Sequence, residues 1–273
     1  MTRHEVRRVR REIRRRGLEV TRLEALSPRM TRVSFGSPEL HDFLSDAPDD
    51  HVKLFFADGP RTVMRDFTPR SFDAARRTLV VDFALHEQGP ASSWAREARV
   101  GARLEVAGPR GSLVIPDDFD WYLLVGDESA LPAIGRRVEE LRPGVPVTTI
   151  VAVHATEDEQ RFETRAQWSP LWLHRGRAEG DARLLVDAVA RLTFPPGDGL
   201  VWIAGESGLA RALRDHIVKE RQHPAAWTKA AAYWKRGGGR RARAHRGLKG
   251  AGSHRAPASV YSLESQPCDF AMA

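Results

Sequence analysis

Cysteine is almost missing: the 273-residue chain holds one, Cys268. A single thiol cannot ligate an iron–sulfur cluster, close an internal disulfide or build a cysteine zinc site. Any redox chemistry here must therefore run on an organic cofactor. Long apolar runs are missing too. No stretch of about 18 consecutive apolar residues occurs, which excludes a membrane-spanning helix. The N-terminus has no apolar core of the secretory kind, so a reducing cytoplasm is the expected location. No internal repeat is visible. What is present suffices for a folded core: 41% hydrophobic residues, with 22 Gly and 17 Pro, is neither collagen-like nor wholly disordered. The length fits one large domain or two ordinary ones.

The net charge of +7 is unevenly placed. Residues 1–16 carry +6 and residues 238–273 carry +4, leaving the body between them at −3. A basic isoelectric point read naively suggests nucleic acid, but here the basicity belongs to two ends. They are expected to be a solvated arm and a disordered tail. Val6, Val9 and Ile13 make a thin apolar stripe at helical spacing in the arm, compatible with a short helix docked on the body.

Two patterns follow in order. Leu18–Leu26, Met30–Phe35, His51–Phe56, Leu79–His86 and Arg103–Ala107 are short β-prone runs separated by Gly- and Pro-containing turns, which predicts an antiparallel β-barrel. Beyond Pro116 the pattern alternates. Strands at Trp121–Val125, Val147–Val153 and Leu200–Ala204 are interleaved with helices at Pro132–Leu141, Ala182–Leu192 and Leu209–Arg221, as in an α/β domain with a parallel sheet. The expected division is a basic arm over 1–16, a β-barrel domain over 17–117, an α/β domain over 118–237 and a low-complexity tail over 238–273.

Six segments carry chemistry. In Arg65-Asp66-Phe67-Thr68-Pro69-Arg70, an aromatic can cover a flat ring while a hydroxyl bonds its polar edge, and two arginines suit a pyrophosphate. A β-turn with exposed charges explains the same residues. His86-Glu87-Gln88-Gly89-Pro90-Ala91-Ser92 leaves a strand and opens a helix, where free backbone amides and the helix dipole attract anions. Gly108-Pro109-Arg110-Gly111-Ser112 permits close backbone approach, or is a plain turn. Gly126-Asp127-Glu128-Ser129-Ala130 and Gly205-Glu206-Ser207 each follow a strand end, where ligands of open α/β sheets collect. Neither is a GxGxxG fingerprint. Finally, Trp227 to Gly237 combines a small-residue strand with Trp234, Lys235 and Arg236, an aromatic and cations suited to the face of a flavin or nicotinamide.

Taken in order over about residues 17–237, these segments resemble the siderophore-interacting proteins, flavin-dependent ferric-siderophore reductases with a ferredoxin-reductase-like fold. Arg-x-Phe-Thr-Pro-Arg and Gly-Pro-Ala-Ser-x-Trp-Ala resemble the family's FAD-binding patterns. Gly-Asp-Glu-Ser-Ala-Leu-Pro-Ala and Ala-Gly-Glu-Ser resemble its nicotinamide-side loops. The resemblance implies that Arg65 and Gly89, Pro90, Ala91 and Ser92 hold the FAD pyrophosphate. It implies that Phe67 lies against the isoalloxazine, with Thr68 near its N5 and Asp82, Phe83 and His86 along the flavin. Gly126, Asp127, Glu128, Ser129 and Ala130, with Gly205, Glu206 and Ser207, would position NAD(P)H. The ending Trp-Thr-Lys-Ala-Ala-Ala-Tyr-Trp-Lys-Arg-Gly resembles the subgroup that prefers NADPH, with Trp234 as the covering aromatic. Lys53, Lys235 and Arg236 are the expected contacts to a ferric siderophore. Family members often carry Tyr at the position of Phe67, so a phenol hydrogen bond is not available here. They usually stop soon after the final motif, whereas a basic segment follows here, consistent with a shifted reading frame after Gly237. No side chain is expected to act as nucleophile or general base, no metal is expected to be resident, and the protein is expected to be a monomer that binds no nucleic acid. Two alternatives remain: a general NAD(P)H:flavin oxidoreductase with another acceptor, and a non-enzymatic RNA- or anionic-surface-binding protein acting through its Arg-rich ends.

Overall fold

The computed structural model describes residues 3–86, 89–175 and 181–235. Its first part is antiparallel. An N-terminal strand β1 (Arg7–Arg10) precedes a long hairpin, β2 (Arg15–Ser27) and β3 (Met30–Gly36). Then come a second hairpin, β4 (Val52–Asp58) and β5 (Arg61–Phe67), the short β6 (Ser71–Asp73), β7 (Thr78–Ala84), helix α1 (Pro90–Glu97), β8 (Arg103–Ala107) and β9 (Gly111–Val114). Seven of these strands form one sheet in the order β5-β4-β8-β2-β3-β7-β6. Period-two alternation builds it: Leu18 and Val20 of β2 turn inward onto Val33, Phe35, Leu54, Phe56, Val81 and Val106, while Gly17 and Glu19 face solvent. The sheet curls strongly. Phe67 of β5 and Phe83 of β7, near its opposite ends, have ring centroids only 4.6 Å apart.

The second part is β10 (Trp121–Asp127), α2 (Leu131–Glu140), β11 (Pro146–Val153), β12 (Gln167–His174), α3 (Asp181–Ala190), β13 (Gly199–Glu206), α4 (Ser207–Asp215) and β14 (Thr228–Trp234). All five strands are parallel, in the order β12-β11-β10-β13-β14. Every residue of β10 is buried because both faces are covered. Tyr122 and Leu124 meet Ile134 and Val138 of α2, whereas Leu123 and Val125 meet Leu185 of α3 and Leu213 of α4. The chain runs outward from β10 to β12 and then returns to β13, so the order switches between β10 and β13. The carboxyl ends of those two strands, Asp127 and Glu206, stand side by side at this switch.

Polar bridges tie the two sheets together. Asp49, in the loop before β4, meets Lys229 Nζ at 2.5 Å and accepts from Trp202 Nε1 at 2.9 Å. Arg136 of α2 donates to the carbonyls of Ser45 and Pro69 at 2.7 and 3.2 Å. The basic arm is pinned by aspartates of the body, Arg3 to Asp120, Arg11 to Asp46 and Arg14 to Asp42.

The antiparallel and parallel halves match the fold class read from the sequence. Local details differ. The arm is a strand, not a helix: β1 pairs antiparallel with β9, from Arg7 opposite Val114 to Arg10 opposite Gly111. Val6 and Ile13 stay 43% and 57% exposed, and of the stripe only Val9 is partly buried. β5, β6, β9 and β12 lack a strong apolar alternation and were not read as strands. The α4 segment gives way at His216–Glu220 to a single π-helical turn. Among the described residues no helix is long and apolar enough to cross a membrane. Arg236 and the tail over 238–273 lie outside the described residues.

Candidate functional site

Between the two sheets lies a cleft open to solvent, with about 740 Å³ of empty space when that opening is included. One wall comes from the curled sheet. The end of β5 and the residue after it supply Arg65, Asp66, Phe67 and Thr68, the end of β7 supplies Asp82 and Ala84, and the segment after it supplies His86. Met30 at the start of β3 and Gly89, Pro90, Ala91 and Ser92 at the start of α1 complete that side. The facing wall is Glu128, Ser129 and Pro132, which follow β10, together with Tyr233 of β14. Phe67 presents its ring there because the curl seats it on Phe83 at 4.6 Å and Phe56 at 6.0 Å.

One corner of the cleft is built for an anion. Helix α1 begins at Gly89, whose φ of 122° is a conformation L side chains rarely adopt, and no side chain caps it. Pro90 has no amide hydrogen, so the amides of Ala91 and Ser92 are the open donors of the first turn. Ser92 Oγ turns away from them to accept from His86 N at 3.0 Å. In the same cleft Arg65 donates to the carbonyl of Met64 at 2.9 Å. Among the described residues no carboxylate pairs with it. Burial pushes its pKa down, against the weaker pull of Asp58 and Asp66. A half-buried guanidinium that shares a cleft with uncapped amides is a donor set suited to a diphosphate, so the residues present fit an FAD pyrophosphate.

The carboxylates of the lining, by contrast, are all matched. Asp66 holds Lys53 Nζ at 2.7 Å. Asp82 accepts two bonds from Arg32, at 2.7 and 2.8 Å. Glu128 accepts from Arg175 Nη1 at 3.0 Å, and Arg175 also meets Asp181 at 2.6 Å. Burial works against the charge on Arg175, but Glu128 and Asp181 override it and raise its pKa. His86 is pushed down, chiefly by burial and then by Arg175 and Arg96, against the opposing charge of Glu128.

The remaining residues named from the sequence sit around the cleft without lining it. Phe83 belongs to the core beneath Phe67. Arg70 is buried and donates to Glu139 at 2.7 Å, with its Nε 3.7 Å from Asp82. Gly126 and Ala130 are packed together: a Cβ on Gly126 would stand 2.5 Å from the Ala204 carbonyl and 2.6 Å from Ala130 Cβ. Asp127 is fully buried, and its carboxylate accepts from Ser129 N at 2.9 Å, Glu206 N at 3.0 Å and Trp234 Nε1 at 2.8 Å. Gly205 crosses over that carboxylate, where a Cβ would lie 2.6 Å from Oδ2. Glu206 caps α4, accepting from Gly208 N at 2.6 Å, and Ser207 Oγ donates to Glu206 at 2.9 Å. Lys53 and Lys235 are exposed, and Arg236 falls outside the described residues. Met30, Asp66, Ala84, Pro132 and Tyr233 line the cleft without having been singled out. Of these, Asp66, Pro132 and Tyr233 lie inside the chemistry-bearing segments, whereas Met30 and Ala84 do not.

Residues 119–237 match the sequence pattern of the siderophore-interacting proteins, and residues 19–62 and 56–113 match that of the siderophore-interacting FAD-binding domain. The chain belongs to the siderophore-interacting protein family. It is 36% identical over 249 residues to the NADPH-dependent ferric-chelate reductase of Escherichia coli (strain K12), covering 83% of this chain and 95% of that protein. It is 27% identical over 242 residues to the ferric vibriobactin reductase of Vibrio cholerae serotype O1, covering 81% and 89%. The solved structure of a siderophore utilization protein from T. fusca superposes with a TM-score of 0.79 at 35% identity, covering 85% of this chain and 97% of that one. The ferredoxin-reductase-like architecture expected of this family is the one observed.

Proposed function

We propose that this member of the siderophore-interacting family is an FAD-containing reductase that draws electrons from NADPH and passes them to ferric siderophores, releasing Fe(II). The observation that carries the reading is the corner where unmatched Arg65 shares the cleft with the uncapped amides of α1. Bound there, FAD supplies the two-electron chemistry that NADPH needs and the one-electron chemistry that Fe(III) needs. Arg65 and the Ala91 and Ser92 amides hold the diphosphate. Phe67 offers an aromatic face, and the Thr68 hydroxyl bonds a polar edge of the ring system. Asp82, fixed by Arg32, and His86 bound the same space.

On the facing wall Glu128 and Ser129 meet the nicotinamide side, held by the buried Asp127 and by Arg175. In this reading residues 17–117 are the FAD half and 118–237 the NADPH half. The chain's own residues bind and orient; none is required as a nucleophile or base. Fe(II) binds hard oxygen chelators more weakly than Fe(III) does, so reduction frees the metal. Lys53 and Lys235, with Arg236 next in the sequence, are the residues assigned to contact an incoming chelate. The protein acts as a cytoplasmic monomer and needs no nucleic acid. Steady-state assays with NADPH test the acceptor. Ferric siderophores are expected to be reduced, with two Fe(II) trapped per NADPH consumed. Turnover confined to quinones would instead make the protein a general flavin oxidoreductase.

A further inference from the structure

The charges of the cleft carry an inference about which ferric chelates it accepts. Its described lining holds three carboxylates, Asp66, Asp82 and Glu128, and each meets a cation: Asp66 meets Lys53, Asp82 meets Arg32 and Arg70, and Glu128 meets Arg175, which Asp181 shares. The described lining has one arginine without such a pair, Arg65, and the reading proposed above, on which this inference rests, commits it to the FAD diphosphate. No surplus positive charge is then left in the described lining to draw in an anion.

Beyond the lining, Lys53 and Lys235 are the described cations assigned to a chelate, and Asp66 cancels the charge of the first. Lys53 and Asp66 are direct partners across β4 and β5, so their side chains leave the same face of the sheet. The Asp66 side chain is only 2% exposed and that of Lys53 is 46% exposed. A buried carboxylate cannot swing into solvent, so the ammonium is held 2.7 Å away with its charge matched in place. We infer that Asp66 is a specificity-determining residue, which neutralises Lys53 and so tunes the cleft to ferric chelates of zero or low positive charge and against highly anionic ones. Three hydroxamates, each carrying one negative charge, cancel Fe(III). Three catecholates, each carrying two, leave a trianion. The class selected is the ferric trihydroxamates.

The test is Asp66→Asn in the flavin-loaded full chain. The change keeps the shape of the side chain and frees the Lys53 charge. For wild type and variant, kcat/KM with NADPH is measured for a neutral ferric trihydroxamate and for a trianionic ferric tricatecholate, at low and high ionic strength. The quantity read is the ratio of the two values within one sample, so any loss of folded or loaded protein cancels. The intrinsic reducibility of each chelate cancels between the two proteins. The variant is expected to raise the tricatecholate-to-trihydroxamate ratio about five- to tenfold at low salt, with the gain shrinking as screening increases. Adding Lys53→Met to Asp66→Asn is expected to return the ratio to the wild-type value. A ratio within twofold of wild type in Asp66→Asn, or a gain that salt does not diminish, overturns the inference. Wild-type protein that oxidises NADPH with a quinone but reduces neither chelate overturns the reductase reading itself, and the inference with it.

Discussion

Trp234 donates its indole N–H to Asp127 Oδ2 at 2.8 Å. Through that bond, and those from Ser129 and Glu206, one buried carboxylate joins the ends of β10, β13 and β14. Burial first and the charge of Glu128 second push its pKa up to about 6, from 3.8. A raised acid pKa means that between those values the folded protein holds a proton the unfolded chain has lost. The stability it contributes is therefore complete below about pH 4 and lost as pH rises through about 6. Asp127→Asn removes this titration. The expected result is a difference in melting temperature, wild type minus variant, that falls between these pH values and levels off above them. A difference independent of pH contradicts the assignment.

Arg65→Ala is expected to weaken FAD retention about ten- to a hundredfold, because a charge-assisted bond contributes about 1.5–3 kcal/mol. The fold should tolerate the change, since the hydrogen bond Arg65 makes is to the neighbouring Met64 carbonyl. Equilibrium dialysis of flavin, with circular dichroism as the control, reads both. Unchanged retention would remove Arg65 from the diphosphate corner.

Lys229→Met addresses the joint between the sheets. Burial alone would raise the pKa of Asp49, but the charge and hydrogen bond of Lys229, aided by Trp202, hold it below the usual carboxylate value. Removing the ammonium leaves a largely buried carboxylate unpaired, at a cost of about 3 kcal/mol. Denaturant unfolding at neutral pH should show that loss. The stability Asp49 contributes is present above its unfolded pKa of about 4 and disappears as pH falls through its depressed folded value. The penalty of the variant should therefore shrink in acid.

The fold was legible where burial imposes a period. β2, β3, β7 and β10 read correctly because their side chains alternate between core and solvent or are apolar throughout. β5 was missed because it is an edge strand with most of its side chains outside the core, held by backbone pairing to β4. β12 is also an edge strand and contains Pro170. The arm misled because Val6, Val9 and Ile13 fit the helical period, whereas what makes it a strand is its pairing with β9, about a hundred residues away in the chain. Within the site, Arg65, Phe67, Gly89 and Ser129 could be named from short motifs. The sequence points to Trp234 as the covering aromatic, whereas Tyr233 lines the cleft, because the pairing of β14 shifts register between Gly205 and Glu206. The Lys53–Asp66 pair needed the β4–β5 register, which the Gly59-Pro60 turn sets by joining Asp58 to Arg61.

The central claim, that this cleft holds a flavin through which NADPH reduces ferric chelates, is tested most directly by the visible absorption spectrum of the purified protein. It is recorded anaerobically before and after NADPH and then after a ferric siderophore. The account predicts a flavin band that denaturation releases as FAD, that NADPH bleaches, and that the chelate restores as trapped Fe(II) accumulates. Protein that stays colourless after reconstitution with excess FAD, or a bleached band that no ferric chelate restores, contradicts it.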